Sequence, residues 1–406
     1  MTLNYLVDLP RPQSQQLIAQ AADVLEQTGG DIPKAALVLK AKVSDQSLPA
    51  AGQALETAAG RSALRDQYEW AGDGYFTLAG IQQASHPKIC RHHAEKFRQC
   101  RNVLEIAGGL GFDSAALAKV AKKVTMLESD RLTAEMARRN LTLQRISNVE
   151  VRICKAEEFI DDSTLQLFDG LWADPARRSS SGQRVSKPSD YSPDLGWLLN
   201  LKISGPCGIK ISPGLNLQEL PRGFVREWIG FDRECREQIL WRGTAVREGT
   251  VTLVDENLSY AGKAQTAEPT LIDPCSRDLS GWRLVEPHPA LIRSGQLAGF
   301  YKEREIELLD PQIAYGVARE PVAPSPWWRL FAIKVAMPFN LKAINEYIKR
   351  FDWSSNTEIK KRGFPKEPEE IRKMLSFSKT ASSKPGVIVL TRIGDSHWCF
   401  LCERDD

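Results

Sequence analysis

Between Asn102 and Ile211 the chain alternates short, β-rich apolar runs with helix-compatible stretches, and few folds accommodate that pattern. The runs are "NVLEIAG", "KVTMLES", "NVEVRICKA", "LFDGLWAD" and "CGIKISP", and "DSAALAKVAKK" and "RLTAEMARRNLTLQRI" separate the first three. The runs are nearly continuous in apolar character, so each strand is expected to be buried on both faces. That is the signature of a parallel sheet covered by helices on either side. "REQILWRG" and "GTVTLVDE" follow with a short turn-rich link, which predicts an antiparallel hairpin at the sheet edge. The α/β unit is expected to span 101–273.

A chain of 406 residues exceeds one compact core, so further domains are expected on either side. Residues 1–100 read as an all-helical domain. "SQQLIAQAADVLEQTGG" has apolar residues at helical spacing, Asp31 is a suitable N-cap for "DIPKAALVLKAKV", and Ser85 is expected to cap "ASHPKICRHHAEKFRQC". Residues 274–326 read as a small mixed unit, and 327–406 as a β-α-β-α-β-β module after the connector "REPVAPSPWW". No run of about 18 apolar residues would span a bilayer. The N-terminus has no secretion-signal pattern, and eight cysteines without framework spacing suit reduced thiols. A cytoplasmic chain with neither membrane nor metal partner is expected. A net charge of +3 leaves nucleic acid open as a partner, because local patches outweigh the total.

"VLEIAGGLGFDS" stands where the first strand turns into the first helix of the α/β unit. Gly108, Gly109 and Gly111 let the backbone turn tightly and approach a ligand, and the helix N-terminus behind them favours a polar or anionic group. Dinucleotide sites use related spacing. Two acids sharpen the reading. Glu128, ending the second strand, is placed to take the hydroxyls of a ribose, and Glu105, ending the first, to orient an amino-acid ammonium. Adenosine joined to an amino acid describes S-adenosylmethionine (SAM) better than a dinucleotide.

The stretch resembles motif I of class I SAM-dependent methyltransferases, with Ala107 where a glycine is common. "ICKAEEF" is similar to the end of the third strand in that fold, which implies Ala156 and Glu157 beside the adenine. "ADPARR" falls where such enzymes keep their acceptor-side motif. The resemblance implies Asp174 facing the methyl group, Pro175 stiffening the turn, and Arg177 near the reaction site. Arg178, Arg184 and Lys187 then stand on an irregular loop, either contacting phosphate of a nucleic-acid acceptor or simply solvated. "DPAR" also resembles the acceptor motif of RNA 5-methyluridine methyltransferases. Carbon-5 chemistry needs a thiolate at the end of the next strand, whereas "IKISPG" has none and Cys207 precedes the strand. Transfer to nitrogen or oxygen remains.

"LAGIQQASHPKICRHHAEKF", "DPARR", "KISPGL", "VEPHPALIRSG", "LDPQIAYG" and "IKKRGF" occur in the order found in a family of bacterial methyltransferase-like proteins with a THUMP-like C-terminal domain. The resemblance covers about 79–392. It implies a Rossmann-like methyltransferase sheet at 101–273, preceded by the helical domain 1–100. A small ferredoxin-like α+β unit at 274–326 and a THUMP-like domain at 327–406 would follow. By analogy with genuine THUMP domains, the expected activity is SAM-dependent methylation of RNA, tRNA or rRNA, at nitrogen or oxygen. The alternatives are a non-catalytic RNA-binding protein on that scaffold and a small-molecule methyltransferase.

Weaker features divide between function and packing. Lys360, Lys361 and Arg362 read as a basic turn before Gly363 and Phe364, fitted either to clamp phosphate and stack a base or merely to be solvated. Cys399 and Cys402 lie three apart on a strand, hence on opposite faces, which argues against a metal pair. His92 and His93 are expected at the surface, and Trp327 and Trp328 in a domain junction.

Overall fold

The structure, a computed structural model, describes residues 5–43, 48–177, 188–215, 220–262, 268–319, 322–380 and 382–404. Arg178, Arg184 and Lys187 lie outside the described residues. The chain divides into two compact units, Met1–Arg226 with Glu237–Val246, and Glu227–Arg236 with Arg247–Asp406.

The first unit opens with helices α1 (Arg11–Gln27), α2 (Ile32–Lys42), α3 (Leu48–Leu64), α4 (Leu78–Gln83) and α5 (Pro87–Glu95). Leu17, Ile18, Ala21 and Val24 form the buried face of α1, in one core with Ala50, Ala51, Ala54, Leu55 and Ala58 of α3. Small side chains on α3 allow close approach, and each large apolar side chain removed from water contributes about 1.5–3 kcal/mol. Asp31 caps α2 as expected, accepting the N–H of Lys34. The cap of α5 is His86 rather than Ser85, with Nδ1 accepting the N–H of Lys88. An imidazole serves there because Ser85 is engaged elsewhere.

The α/β part follows in order: β1 (Asn102–Ile106), α6 (Phe112–Leu117), β2 (Lys123–Glu128), α7 (Arg131–Leu143), β3 (Val149–Ile153), α8 (Ala156–Phe159), α9 (Asp162–Leu165) and β4 (Gly170–Ala173). A two-residue pair, β5 (Ala176–Arg177) and β6 (Tyr191–Ser192), then precedes α10 (Leu195–Asn200) and β7 (Cys207–Ile211). The parallel order is β7-β4-β1-β2-β3. Leu104, Ile106, Leu171 and Ile209 pack with Leu195 and Leu198 of α10, and Met126 packs with Ala134, Ala137 and Leu141 of α7. Both faces of the sheet are buried, as the continuous apolar runs require. The strand order reverses between β1 and β4, which opens a crevice at the carboxyl ends of the strands.

Two more strands are β8 (Val225–Phe231) and β9 (Glu234–Arg242). Gln238–Arg242 pairs antiparallel with β7. In the second unit, β10 (Thr250–Leu253) pairs in parallel with β8 and antiparallel with β11 (Leu258–Tyr260). The expected hairpin of "REQILWRG" with "GTVTLVDE" is therefore incorrect, because β10 takes β8 as its partner. The charged pair Arg226–Glu227 conceals β8 in the sequence. Glu227 is nevertheless buried, accepting a 2.6 Å hydrogen bond from the Thr252 hydroxyl.

The remainder of the second unit comprises β12 (Arg283–Pro287), α11 (Pro289–Ser294), α12 (Leu297–Lys302), β13 (Glu307–Asp310), β14 (Ile313–Ala318), β15 (Trp328–Pro338), α13 (Leu341–Arg350), β16 (Glu358–Arg362), α14 (Pro368–Met374), β17 (Val387–Ile393) and β18 (Ser396–Arg404). They build one seven-stranded sheet, ordered β13-β14-β12-β15-β18-β17-β16. Residues 328–404 follow the β-α-β-α-β-β order read from the sequence. Because β12 pairs with β15, strands from before and after the proline-rich connector share this sheet. Trp327 is buried against Phe300. Cys399 and Cys402 enter different cores on opposite faces of β18.

Candidate functional site

A cleft of about 420 Å³ lies in the first unit, bounded by the turns after β1, β2, β3 and β4. Its volume falls within the usual range for small-molecule sites. Glu105, Ala107, Gly108, Gly109, Glu128, Ala156, Glu157 and Asp174 all line it. Residues spread over seventy positions of sequence thus meet, because parallel strands deliver their carboxyl ends to one edge of the sheet.

The first turn is left-handed at three places, with φ of 58° at Ala107, 56° at Gly109 and 84° at Gly111, which is the N-cap of α6. Glycine takes that conformation freely, whereas alanine is strained by roughly 1–2 kcal/mol. The Ala107 departure from the glycine pattern therefore adds strain to the turn. Glu128 holds the turn from the next strand. One carboxylate oxygen accepts the Gly109 N–H at 3.1 Å, and the other accepts the Asp130 N–H at 2.8 Å. The first oxygen keeps a lone pair for a further donor, while the second also accepts the Ser129 hydroxyl at 3.5 Å.

Glu105 is only 1% exposed and accepts a short hydrogen bond from the Ser114 hydroxyl. Burial first, then the nearby Asp113, pushes its carboxyl well above the usual carboxylate range. A buried carboxyl facing a cleft is electrostatically incomplete, and an organic cation would complete it. Asp174 follows β4, with its N–H bonded to the Ile106 carbonyl, and Pro175 beside it is buried.

Three comparisons with known proteins agree with this geometry. Residues 328–404 match a family described as THUMP domain-like. An uncharacterized S-adenosylmethionine-dependent methyltransferase of Mycobacterium tuberculosis is 27% identical over 325 residues, 79% of this chain and 85% of that protein. A crystal structure assigned to a methyltransferase of Porphyromonas gingivalis W83 superposes with a TM-score of 0.69 at 19% identity, covering 97% of this chain and 99% of that one. The chain is similar to S-adenosylmethionine-dependent methyltransferases and carries a THUMP domain-like segment at its C-terminal end.

Beneath the cleft lies a charge network that sequence reasoning missed. Lys210, on β7, sits 2.8 Å from Asp174 Oδ2 and 3.2 Å from Glu237 Oε1, and donates to the Ser85 hydroxyl at 3.0 Å. Ser85 in turn donates to Glu237 at 2.6 Å. His93 closes the chain, with Nδ1 2.9 Å from Asp113 and Nε2 2.9 Å from Glu237, the latter an ion pair without hydrogen-bond alignment. Its ring stacks on Trp172 with centroids 4.3 Å apart. The expected surface position of His93 is thus wrong. The basic neighbours Arg91 and Lys96 hid an inward-facing residue on an amphipathic helix. Ser85 and His93 share one stretch, but Asp113, Lys210 and Glu237 come from three others, and no local spacing announces their meeting.

Burial alone would push the His93 imidazolium down in pKa, but Glu237 and Asp113 override it and raise the group to about 9. The unfolded value is about 6.5, so His93 is cationic in the native state. Its contribution to stability is fully present below about pH 6.5 and is lost as pH rises through 9. Thermal melts from pH 6 to 10 are expected to show that loss, and His93→Gln to flatten the profile.

The remaining sequence candidates divide. The backbone of Arg177 pairs with Tyr191 in the β5–β6 ribbon, while Arg178 and Arg184 are outside the described residues. Lys360, Lys361 and Arg362 are on strand β16, not in a turn. Lys360 pairs with Glu286 at 2.9 Å and with Glu358 at 3.1 Å, Lys361 pairs with Glu367, and Arg362 lies over the Tyr315 ring. Phe364 is buried. Glu286, distant in sequence, and the nearby Glu358 and Glu367 pair with the two lysines, and Phe364 is packed away rather than presented as a stacking ring.

Proposed function

We propose that the cleft holds SAM and that the methyl group is transferred to RNA. The observation carrying this reading is the convergence of Glu105, Glu128 and Asp174 on one cleft at the switch point of the sheet. Glu128 takes the ribose hydroxyls, first through the oxygen on which Gly109 leaves a lone pair free. Glu105 takes the ammonium, and Ala156 and Glu157 border the adenine. Bound SAM supplies an electrophilic methyl group on a sulfonium.

Asp174, with Pro175 behind it, accepts a hydrogen bond from the acceptor and aligns its lone pair. With SAM bound, the acceptor's lone pair would form the new bond to the methyl carbon as the carbon–sulfur pair left with sulfur, and Asp174 would receive the acceptor's proton and pass it to water. A carboxylate is a weak base. It suits a nitrogen, whose proton becomes acidic on methylation, better than a hydroxyl that must be ionised first. The buried Cys207 opens β7 and offers no thiolate at the cleft, which leaves carbon-5 chemistry without its nucleophile.

RNA as the acceptor rests on the THUMP-like match. The test is incubation with labelled SAM and total RNA from a strain lacking the protein, followed by nucleoside analysis. A new methylated nucleoside is expected, and label confined to small molecules would replace the RNA reading with a small-molecule one. Glu128→Ala is expected to weaken SAM binding at least tenfold by calorimetry, and unchanged affinity would remove the ribose assignment.

A further inference from the structure

Asp174 has one feature that an acceptor-side carboxylate does not need merely to line a cleft, a nearly buried cation behind it. Lys210 is 7% exposed and reaches Asp174 at 2.8 Å from β7. A buried ammonium needs compensation, and Lys210 has it twice over, from Asp174 on the cleft side and from Glu237 on the core side. Glu237 is itself anchored by His93 and Ser85, and His93 by Asp113 and the Trp172 ring. The arrangement reads Asp113, His93, Glu237, Lys210, Asp174, with charges alternating in sign from the α6 helix to the cleft. His93, Glu237 and Lys210 are almost wholly buried and do not line the cleft, whereas Asp113 and Asp174 do.

We infer that Lys210 is a positioning residue, which the Glu237–His93–Asp113 chain holds so that Asp174 stays ionised and aimed at the acceptor. The inference rests on the cleft reading above for the identity of the acceptor reaction, but not for the state of Asp174.

The groups facing Asp174 explain why a cation is required. Asp113, Glu237 and Glu105 all disfavour a further negative charge here, and burial disfavours it more strongly; Lys210 opposes them at close range, yet the carboxyl still lies above the usual carboxylate range. Without Lys210 the carboxyl would hold its proton to higher pH, and a protonated carboxyl presents a donor where the acceptor group needs an acceptor. Arginine would preserve the charge, but with a planar fork in place of a point charge. Glu237 has the complementary task. It balances the two cations, Lys210 and His93, so that neither is expelled towards the cleft.

The test reads Asp174 directly in the ligand-free protein, by following its carboxyl ¹³C resonance in aspartate-labelled samples through a pH titration. Asp174→Asn assigns the resonance by removing it. Lys210→Met is expected to move the titration midpoint of Asp174 upward by at least one pH unit, whereas Lys210→Arg should move it by less than half a unit. In methyl transfer, Lys210→Met should lower kcat at least tenfold and shift the acid limb of its pH profile upward by the same interval. SAM affinity should change less than threefold.

An Asp174 midpoint equal in wild type and Lys210→Met would overturn the inference, whatever the activity. If the resonance shifts while no methyl transfer is found in any sample, the positioning stands and the reading of the reaction fails. Should Lys210→Met not fold, Lys210→Met combined with Glu237→Gln removes the stranded carboxylate, and an upward shift is still expected from it, smaller because Glu237 itself raises the Asp174 midpoint.

Discussion

Asp174→Ala is expected to lower methyl transfer about 10²–10⁴-fold while changing SAM affinity less than threefold. The magnitude is that of a positioned proton acceptor. The selectivity follows from geometry, since the groups assigned to the ribose and ammonium are Glu128 and Glu105, each held by bonds that do not involve Asp174. Alanine also leaves Lys210 with Glu237 as its remaining carboxylate partner. Part of the loss will therefore appear as altered stability, and Asp174→Asn separates the two effects. Asparagine keeps the volume and a hydrogen-bonding oxygen but loses the charge. Single-turnover transfer under saturating SAM, with calorimetric SAM binding alongside, checks the prediction. Asp174→Ala retaining a rate within tenfold of wild type would place the acceptor elsewhere.

Glu237→Ala carries the largest expected change in stability. Glu237 is 4% exposed and stands between the Lys210 and His93 cations at 3.2 and 2.9 Å. Burial works against its ionisation, but Lys210 and His93 outweigh it and hold the carboxyl below the usual range. Because the folded pKa is depressed, its contribution is present at neutral pH and fades as pH falls through the folded value. Removing the carboxylate strands two cations in the interior, a loss of about 3–5 kcal/mol by comparison with other broken buried pairs. For a unit of this size that corresponds to a fall in Tm on the order of 10 °C. Glu237→Gln should cost less, since the amide can still accept from Ser85. Combining Glu237→Ala with Lys210→Met should recover part of the loss. Calorimetry at pH 7 decides, and a Tm within 2 °C of wild type for Glu237→Ala would show the network to be water-penetrated and weak.

The cleft was largely legible in the sequence because its parts are local. A glycine-rich turn after a strand and acids at strand ends are short-range features with only one useful placement in a parallel sheet. "EIAGGLG", Glu128, "ICKAEEF" and Asp174 therefore converge where the alternation of strands and helices required. The failures share a cause. His93 sits on a helix with basic neighbours, and only packing against Trp172 and the acids around it shows that it faces inward. Lys360 and Lys361 form a basic run in sequence, yet Glu286 and Glu367 cancel them in space. β8 was missed because its Arg226–Glu227 pair resembles a loop until Thr252 satisfies the glutamate.

Read alone, the chain determined the strand–helix rhythm, the left-handed turn at the first strand and the acids that line the cleft, since each depends on backbone conformation and on residues a few positions apart. The tertiary structure decided which charges are buried and what neutralises them. Ser85, His93, Asp113, Asp174, Lys210 and Glu237 span some 150 residues, and the electrostatic energy of a charge depends on distance and burial, not on its place along the chain.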